Sequence, residues 1–193
     1  MLTIPSHKLK AALTHAAKQD IRYYLNGILL EAAVNGDLHI VATDGHRAFI
    51  GRIAGGATSW PEFTSLIIPT DAIKVAAKKG DVTVAPAGAR YALGSTLFDA
   101  IDGRFPDWRR IVPRGPAQPN ENDWNADYLA DAQTALRTWS GRKYAVTRLT
   151  PRGKNAGATV TCADDSAFSV LVPVRCGKDE VIVDDAFEPA AAR

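Results

Sequence analysis

The residues able to carry enzyme chemistry are few and dispersed. His7, His15, His39 and His46 are scattered, and none recurs with a carboxylate at a metal-ligand spacing. Asp44-Gly45-His46 has the composition of a turn with a surface histidine. Cys162 and Cys176 are too few for a disulfide framework or a zinc site, and Cys162 falls in a strand-like run as a core residue. No Gly-x-Ser-x-Gly elbow, phosphate loop or dinucleotide fingerprint occurs. The expectation is a protein with no catalytic residues, no cofactor and no metal, acting by binding or as a scaffold. The side chains that do offer chemistry are basic and aromatic. Lys8, Lys10, Lys18, Lys74, Lys78 and Lys79 carry ammonium groups suited to a polyanion, and Arg22, Tyr23 and Tyr24, in the segment that joins the first helix to its first strand, add a phosphate donor and stacking surfaces. Tyrosines at a strand start also serve as core, and that reading stays open.

These side chains must be placed by elements, and the elements repeat. Ile4-Pro5-Ser6, Ile68-Pro69-Thr70 and Trp124-Asn125-Ala126 each open a helical pattern. Pro5 and Pro69 favour an extended residue before them, and Ser6 and Thr70 are expected as N-caps. After each helix come three strand-like runs: 22–31, 38–42 and 47–53; then 82–85, 89–93 and 96–101; then 144–150, 158–162 and 168–174. Turn residues such as Asn35-Gly36-Asp37 separate them. The chain reads as three copies of a strand–helix–strand–strand–strand unit. Hairpin connections imply antiparallel sheet with helices on one face, an α+β class. The segment 103–122, rich in Pro and Arg, reads as a linker.

Helix one places Leu9, Ala12, Leu13, Ala16 and Ala17 on one stripe and Lys8, His15 and Lys18 opposite, with Lys10 beside them. Helix two buries Ile73, Ala76 and Ala77 and shows Lys74, Lys78 and Lys79. One such helix alone reads as a solvated face; two in equivalent positions point to a shared polyanion. Helix three departs, with Asp127 and Asp131 opposite Leu129, Ala132 and Leu136.

The composition agrees with a packed protein. Of 193 residues, 46% are hydrophobic and 23% charged, which supports one large or two small cores and excludes a disordered chain. No apolar run is long enough to span a membrane, and 1–10 lacks the order of a signal peptide, so a soluble, intracellular protein is expected. A net charge of +2 permits nucleic-acid contact without requiring it.

Three segments carry a family resemblance. Arg22-Tyr23-Tyr24-Leu25-Asn26-Gly27, Val41-Ala42-Thr43-Asp44-Gly45-His46-Arg47 and Asp102-Gly103-Arg104-Phe105-Pro106-Asp107-Trp108-Arg109-Arg110 resemble the bacterial sliding clamps, the beta subunits of DNA polymerase III. Their order and spacing match that family's middle domain across 1–113. Residues 120–176 resemble only the second half of its C-terminal domain, with Val170-Leu171-Val172-Pro173-Val174-Arg175 matching the pattern that ends the family's chains. The resemblance implies a complete clamp domain over 1–113, a linker over 114–120, a half domain over 121–176 and a flexible tail over 177–193. A whole N-terminal domain and half of the C-terminal domain would be missing.

What the resemblance implies is the DNA-clamp (processivity-fold) architecture: sheets form the rim of a ring and helices line a central hole through which duplex DNA threads unread. Twelve units complete such a ring, so three per chain imply a homotetramer. Pairing would be isologous, third unit with third and first with first, giving dihedral symmetry. The DNA-facing residues carried over are Gln19, Arg22, Tyr23 and Tyr24, with the lysines above inferred from the lining helices. The family's groove for client peptides would comprise Leu25, Thr43, Gly45, His46, Arg47, Ala48, Pro113, Asn125, Tyr128, Val170, Val172, Pro173, Val174 and Arg175. Ala48 and Val172 are smaller than the side chains expected there. Implied partners are duplex DNA, a DNA polymerase and other motif-bearing clients, a clamp loader and further copies of the chain, in the bacterial cytoplasm at the nucleoid or a replicon. The alternative is a non-encircling adaptor or decoy that binds client peptides.

Overall fold

A computed structural model describes residues 1–61, 64–163 and 166–174. Arg175, Cys176 and the 177–193 tail lie outside the described residues, with the expectations attached to them. The described residues form three α-helices: α1 (Ser6–Leu13), α2 (Thr70–Ala76) and α3 (Ala126–Ser140). Eleven strands accompany them. In the first unit these are β1 (Leu2–Pro5), β2 (Gly27–Ala32), β3 (Leu38–Thr43) and β4 (Arg47–Ile53). In the second they are β5 (Ser65–Pro69), β6 (Asp81–Ala87), β7 (Arg90–Leu93) and β8 (Thr96–Phe98). In the third they are β9 (Thr147–Pro151), β10 (Ala158–Cys162) and β11 (Ala167–Leu171).

Every ladder is antiparallel, as the short hairpins require. A four-stranded sheet runs β1-β6-β7-β8, and a seven-stranded sheet runs β5-β2-β3-β4-β11-β10-β9. The first two units exchange their leading strands: β1 pairs with β6, and β5 pairs with β2. The third unit joins the first through β11 on β4, with Val170 opposite Ala48 and Phe168 opposite Ile50. This pairing occupies the free edge of the first unit, so the first unit cannot meet a first unit of another chain there. Among the described residues the outer strands are β1, β8, β5 and β9.

The main core lies between the helices and the sheets. It holds Leu2, Ile4, Leu9, Ile40, Phe49, Ile73, Leu136 and Trp139, all fully buried. On the opposite face of the large sheet, Leu29, Val41, Ala48, Ile50, Ile67 and Val170 form a second apolar cluster closed by Phe105. The 103–122 segment is therefore more than a linker at its start. Phe105 is buried, the Trp108 indole donates to Glu31 at 2.8 Å, and Arg109 bonds the same carboxylate at 2.9 Å.

Local chemistry corrects several expectations. Pro5 and Pro69 occupy the cap positions and Ser6 and Thr70 begin the helices, with no side-chain cap in either case. The Ser6 amide instead bonds the Gly80 carbonyl at 2.9 Å. Of the three α-helices among the described residues, only α3 has a side-chain cap, where Asn125 accepts from the Asp127 and Tyr128 amides. The third unit has no leading strand among the described residues, only an isolated bridge from Asp123 to Val174. Residues Tyr23–Asn26 form a 3-10 turn, not the start of β2. The Asn26 amide clips this turn by bonding the Asp20 backbone in both directions, at 2.9 and 3.0 Å, which replaces ladder pairing. Lys78 and Lys79 fall beyond the end of α2.

His15 departs furthest from expectation. α1 ends at Leu13, so the helical period no longer sets direction, and His15 turns inward, fully buried against Phe49. Its Nδ1 lies 2.7 Å from the Thr14 hydroxyl, while Nε2 has no hydrogen-bond partner in the described structure. Burial, with the nearby Arg47 charge adding to it, lowers its pKa to about 3.

Among the described residues no helix is long and apolar enough to cross a membrane, and no cluster of His, Cys, Asp or Glu is placed to hold a metal ion.

Two outcomes are expected. Gly51 lies against the outer edge of the Trp139 six-membered ring, and a Cβ there would overlap it; Gly51→Ala should lower stability by ~1–3 kcal/mol in urea unfolding. His15 binds its proton more weakly when folded, so the unfolded chain holds more protons between its two pKa values. Stability should therefore fall as pH drops from about 6.5 toward about 3, by up to ~1.4 kcal/mol per pH unit from this residue. His7 and His39 are also lowered and add to the slope, so unfolding at several pH values should show a shallower slope in His15→Leu than in the wild type.

Candidate binding groove and basic helix face

The groove candidates come from segments far apart in sequence, and β4 and β11 bring most of them together. The turn before β4 is built by Asp44, whose carboxylate accepts from the His46 and Arg47 amides at 2.9 and 3.1 Å. Gly45 adopts φ +92°, a conformation that favours glycine. Thr43 donates its hydroxyl to the Arg47 carbonyl at 2.7 Å and accepts the Gly45 amide at 3.1 Å. On the facing strand Val170 lies opposite Ala48, and the chain beyond β11 stays attached because the Val172 amide donates to the His46 carbonyl at 3.0 Å. Val172 and Val174 are 47% and 40% exposed, so apolar surface remains available beside the turn. Ala48 and Val170 are buried in the second apolar cluster and form its floor. Pro113 approaches Gly157 beside Val170.

Arg47 is the electrostatic centre of this region. Its guanidinium bonds Asp44 at 3.0 Å and Asp131 of α3 at 2.5 Å, and it lies 4.5 Å above the Tyr128 ring. Tyr128 also stacks near His46, with ring centroids 6.4 Å apart. Burial opposes the Arg47 charge, but the hydrogen bonds to Asp131 and Asp44 outweigh it and raise its pKa above the ordinary value. Sequence reasoning misses Asp44 and Asp131 as members of this site. Asp131 reads as part of a solvated helix face, and no local signal couples it to a residue on another unit. Two candidates have other duties: Asn125 is spent on the α3 cap, and Leu25 is buried with its carbonyl accepting the Ala17 amide.

The basic candidates divide. Lys18, Gln19 and Lys74 border one groove between the end of α1 and the start of α2. Lys10 and Lys78 adjoin each other, since the Lys10 ammonium donates to the Lys78 carbonyl at 2.5 Å. Lys79 is exposed nearby in sequence. Lys8 is drawn elsewhere: its ammonium lies 4.1 Å over the Trp139 ring, where α1 packs against α3. Carboxylates temper the surface. Lys74 pairs with Asp71 at 2.8 Å. Arg22 grips Asp20 through two bonds of 2.9 and 2.7 Å, and those bonds hold the Asp20 pKa down at about 2. Tyr23 is exposed and packs edge-on to Tyr24, which itself belongs to the second apolar cluster. A separate groove under the 102–110 segment shares only Tyr24 with the candidate residues.

No protein-family model matches the chain. It is 32% identical to the beta sliding clamp of Escherichia coli K12 over 160 residues, 76% of this chain and 42% of that protein. Against the beta sliding clamp of Haemophilus influenzae it is 28% identical over 184 residues, 91% of this chain and 49% of that one. The chain thus spans a little under half the length of these relatives. Among solved structures, the DNA polymerase III subunit beta of Pseudomonas aeruginosa superposes with a TM-score of 0.70 at 22% identity, covering 90% of this chain and 65% of that one. The sliding clamp of Bacillus subtilis superposes at 0.68 with 12% identity, over 91% of this chain and 64% of that one. In sequence and in fold, this chain is a relative of the bacterial beta sliding clamps.

Proposed function

We propose that this chain is a DNA sliding clamp: a non-catalytic protein of the bacterial cytoplasm that joins copies of itself into a ring around duplex DNA and tethers a DNA polymerase and other clients. The observation that carries the reading is the β4–β11 junction, which sets residues 43–48 beside 170–174 with exposed Val172 and Val174 at the rim. These are the positions the resemblance assigns to the client groove, and both walls belong to one chain. The groove between α1 and α2, with Lys18, Gln19 and Lys74 on it, supplies the face toward DNA. Binding to phosphates there is independent of sequence and sensitive to salt. The carboxylate partners of Arg22 and Lys74 keep that binding weak, as sliding requires. A clamp loader opens the ring. The repeat arithmetic favours four chains, with one junction between third units and the other between the β8 edges of second units.

Two experiments test this reading. A fluorescent clamp-binding peptide should bind the wild type and bind Val172→Asp about tenfold more weakly, a loss of ~1.4 kcal/mol; equal binding removes the groove. On DNA, a Lys74/Lys78/Lys79 triple alanine variant should stimulate a polymerase less than the wild type on primed circular template. Its salt slope for DNA binding should flatten by about 0.9 for each phosphate that is no longer neutralised. Unchanged stimulation removes that face. A monomer that binds the peptide and fails to stay on circular DNA would be an adaptor instead.

A further inference from the structure

The strand exchange that completes the first two units is unfinished in the third. β2 and β6, the first strands after α1 and α2, each receive an outer neighbour from the companion unit, β5 and β1 respectively. β9 is their counterpart after α3. It pairs with β10 and, among the described residues, has no strand on its other side. Only its far end is engaged by the preceding segment, where the Gln118 amide donates to the Pro151 carbonyl at 3.0 Å. An open ladder of this kind is a template for another chain.

The surface beside that edge is apolar and self-complementary in charge. Tyr144 and Val146, on the approach to β9, are 79% and 87% exposed. They border a groove with Gln133 and Arg137 of α3. The exposed stripe of α3 runs Asp127, Ala130, Gln133, Arg137: acid at the N-terminal end, short or neutral in the middle, base at the C-terminal end. Neither Asp127 nor Arg137 forms an ion pair among the described residues. Two such helices laid antiparallel about a two-fold axis set Asp127 opposite Arg137 twice over.

We infer that this face, the open edge of β9 with the Asp127–Arg137 stripe of α3 and the exposed Tyr144 and Val146, is an isologous interface for a second copy of this chain. It rests on the ring reading and deepens it by naming the surface through which third units meet.

The test is the native mass of the full chain at micromolar concentration without DNA, by native mass spectrometry. The wild type should show an even number of chains. Asp127→Arg alone and Arg137→Asp alone should each halve that number, and the double reversal should restore it. Both sites are exposed, and circular dichroism checks that the variants fold. A second readout is Gln133→Cys in a Cys162→Ser/Cys176→Ser background, which a short bis-maleimide should cross-link into covalent dimers. A monomeric wild type, an assembly indifferent to both single reversals, a double reversal that stays dissociated, or an absence of cross-linked dimer overturns the assignment. Retention on circular DNA separates the two ideas. Assembly through this face without retention sinks the ring alone, and retention with a mass insensitive to these variants sinks this face alone.

Discussion

The structure depends on one junction, the antiparallel pairing of β4 with β11 and the helix packing behind it. Through that pairing the buried face of the third unit, with Leu136, Trp139, Val160 and Leu171, joins the main core. The junction is tight because Gly51 has no side chain, which lets the buried Trp139 ring lie against β4, where the indole donates to Ser166 at 2.8 Å. Phe49 packs at a tilt beside it, with its centroid 5.5 Å from that of Trp139, and His15 packs against Phe49 in turn. A large aromatic ring thus joins elements that are distant in sequence, beside the buried Leu136, Val160 and Leu171 of the third unit.

Electrostatics finishes what packing begins. The Arg47 fork is held from two sides, by the turn that precedes β4 and by α3, so the same residue that borders the groove also anchors the helix beneath it. Half-buried charge of this kind contributes when its partners stay in place and costs several kcal/mol when one is removed. The exposed pairs, Arg22 with Asp20 and Lys74 with Asp71, add little to stability. Their effect lies at the surface, where they lower the positive potential that the lysine count alone would suggest.

Much of the local structure is legible in the residues. Short apolar runs bounded by turn residues mark β3 and β4, Asn35-Gly36-Asp37 marks the turn between β2 and β3, and the recurrent Ile-Pro pairs mark the starts of α1 and α2. What escapes is set by distance in space. His15 follows the helical period on paper and leaves it in the fold, because α1 stops early. Asp131 looks like a solvated residue until Arg47 arrives from another unit. The order of units around the sheet, second, first, third, is a matter of long-range register that no local pattern encodes. The groove is legible only through resemblance, since Thr43, Ala48 and Val172 carry no chemical signal alone.

One consequence follows from the path of the large sheet. Both walls of the candidate groove, the β4 turn and the segment that follows β11, are contributed by a single chain. A groove made between subunits would exist only after assembly, and its occupancy would report on assembly. On the proposed reading each copy would carry both walls before it meets another, so the intrinsic affinity for a short ligand would be independent of how many copies have joined. Assembly would change valency instead: the number of proteins able to dock at once would equal the number of chains, and a client with two docking segments would gain avidity from neighbouring copies that no single copy can provide.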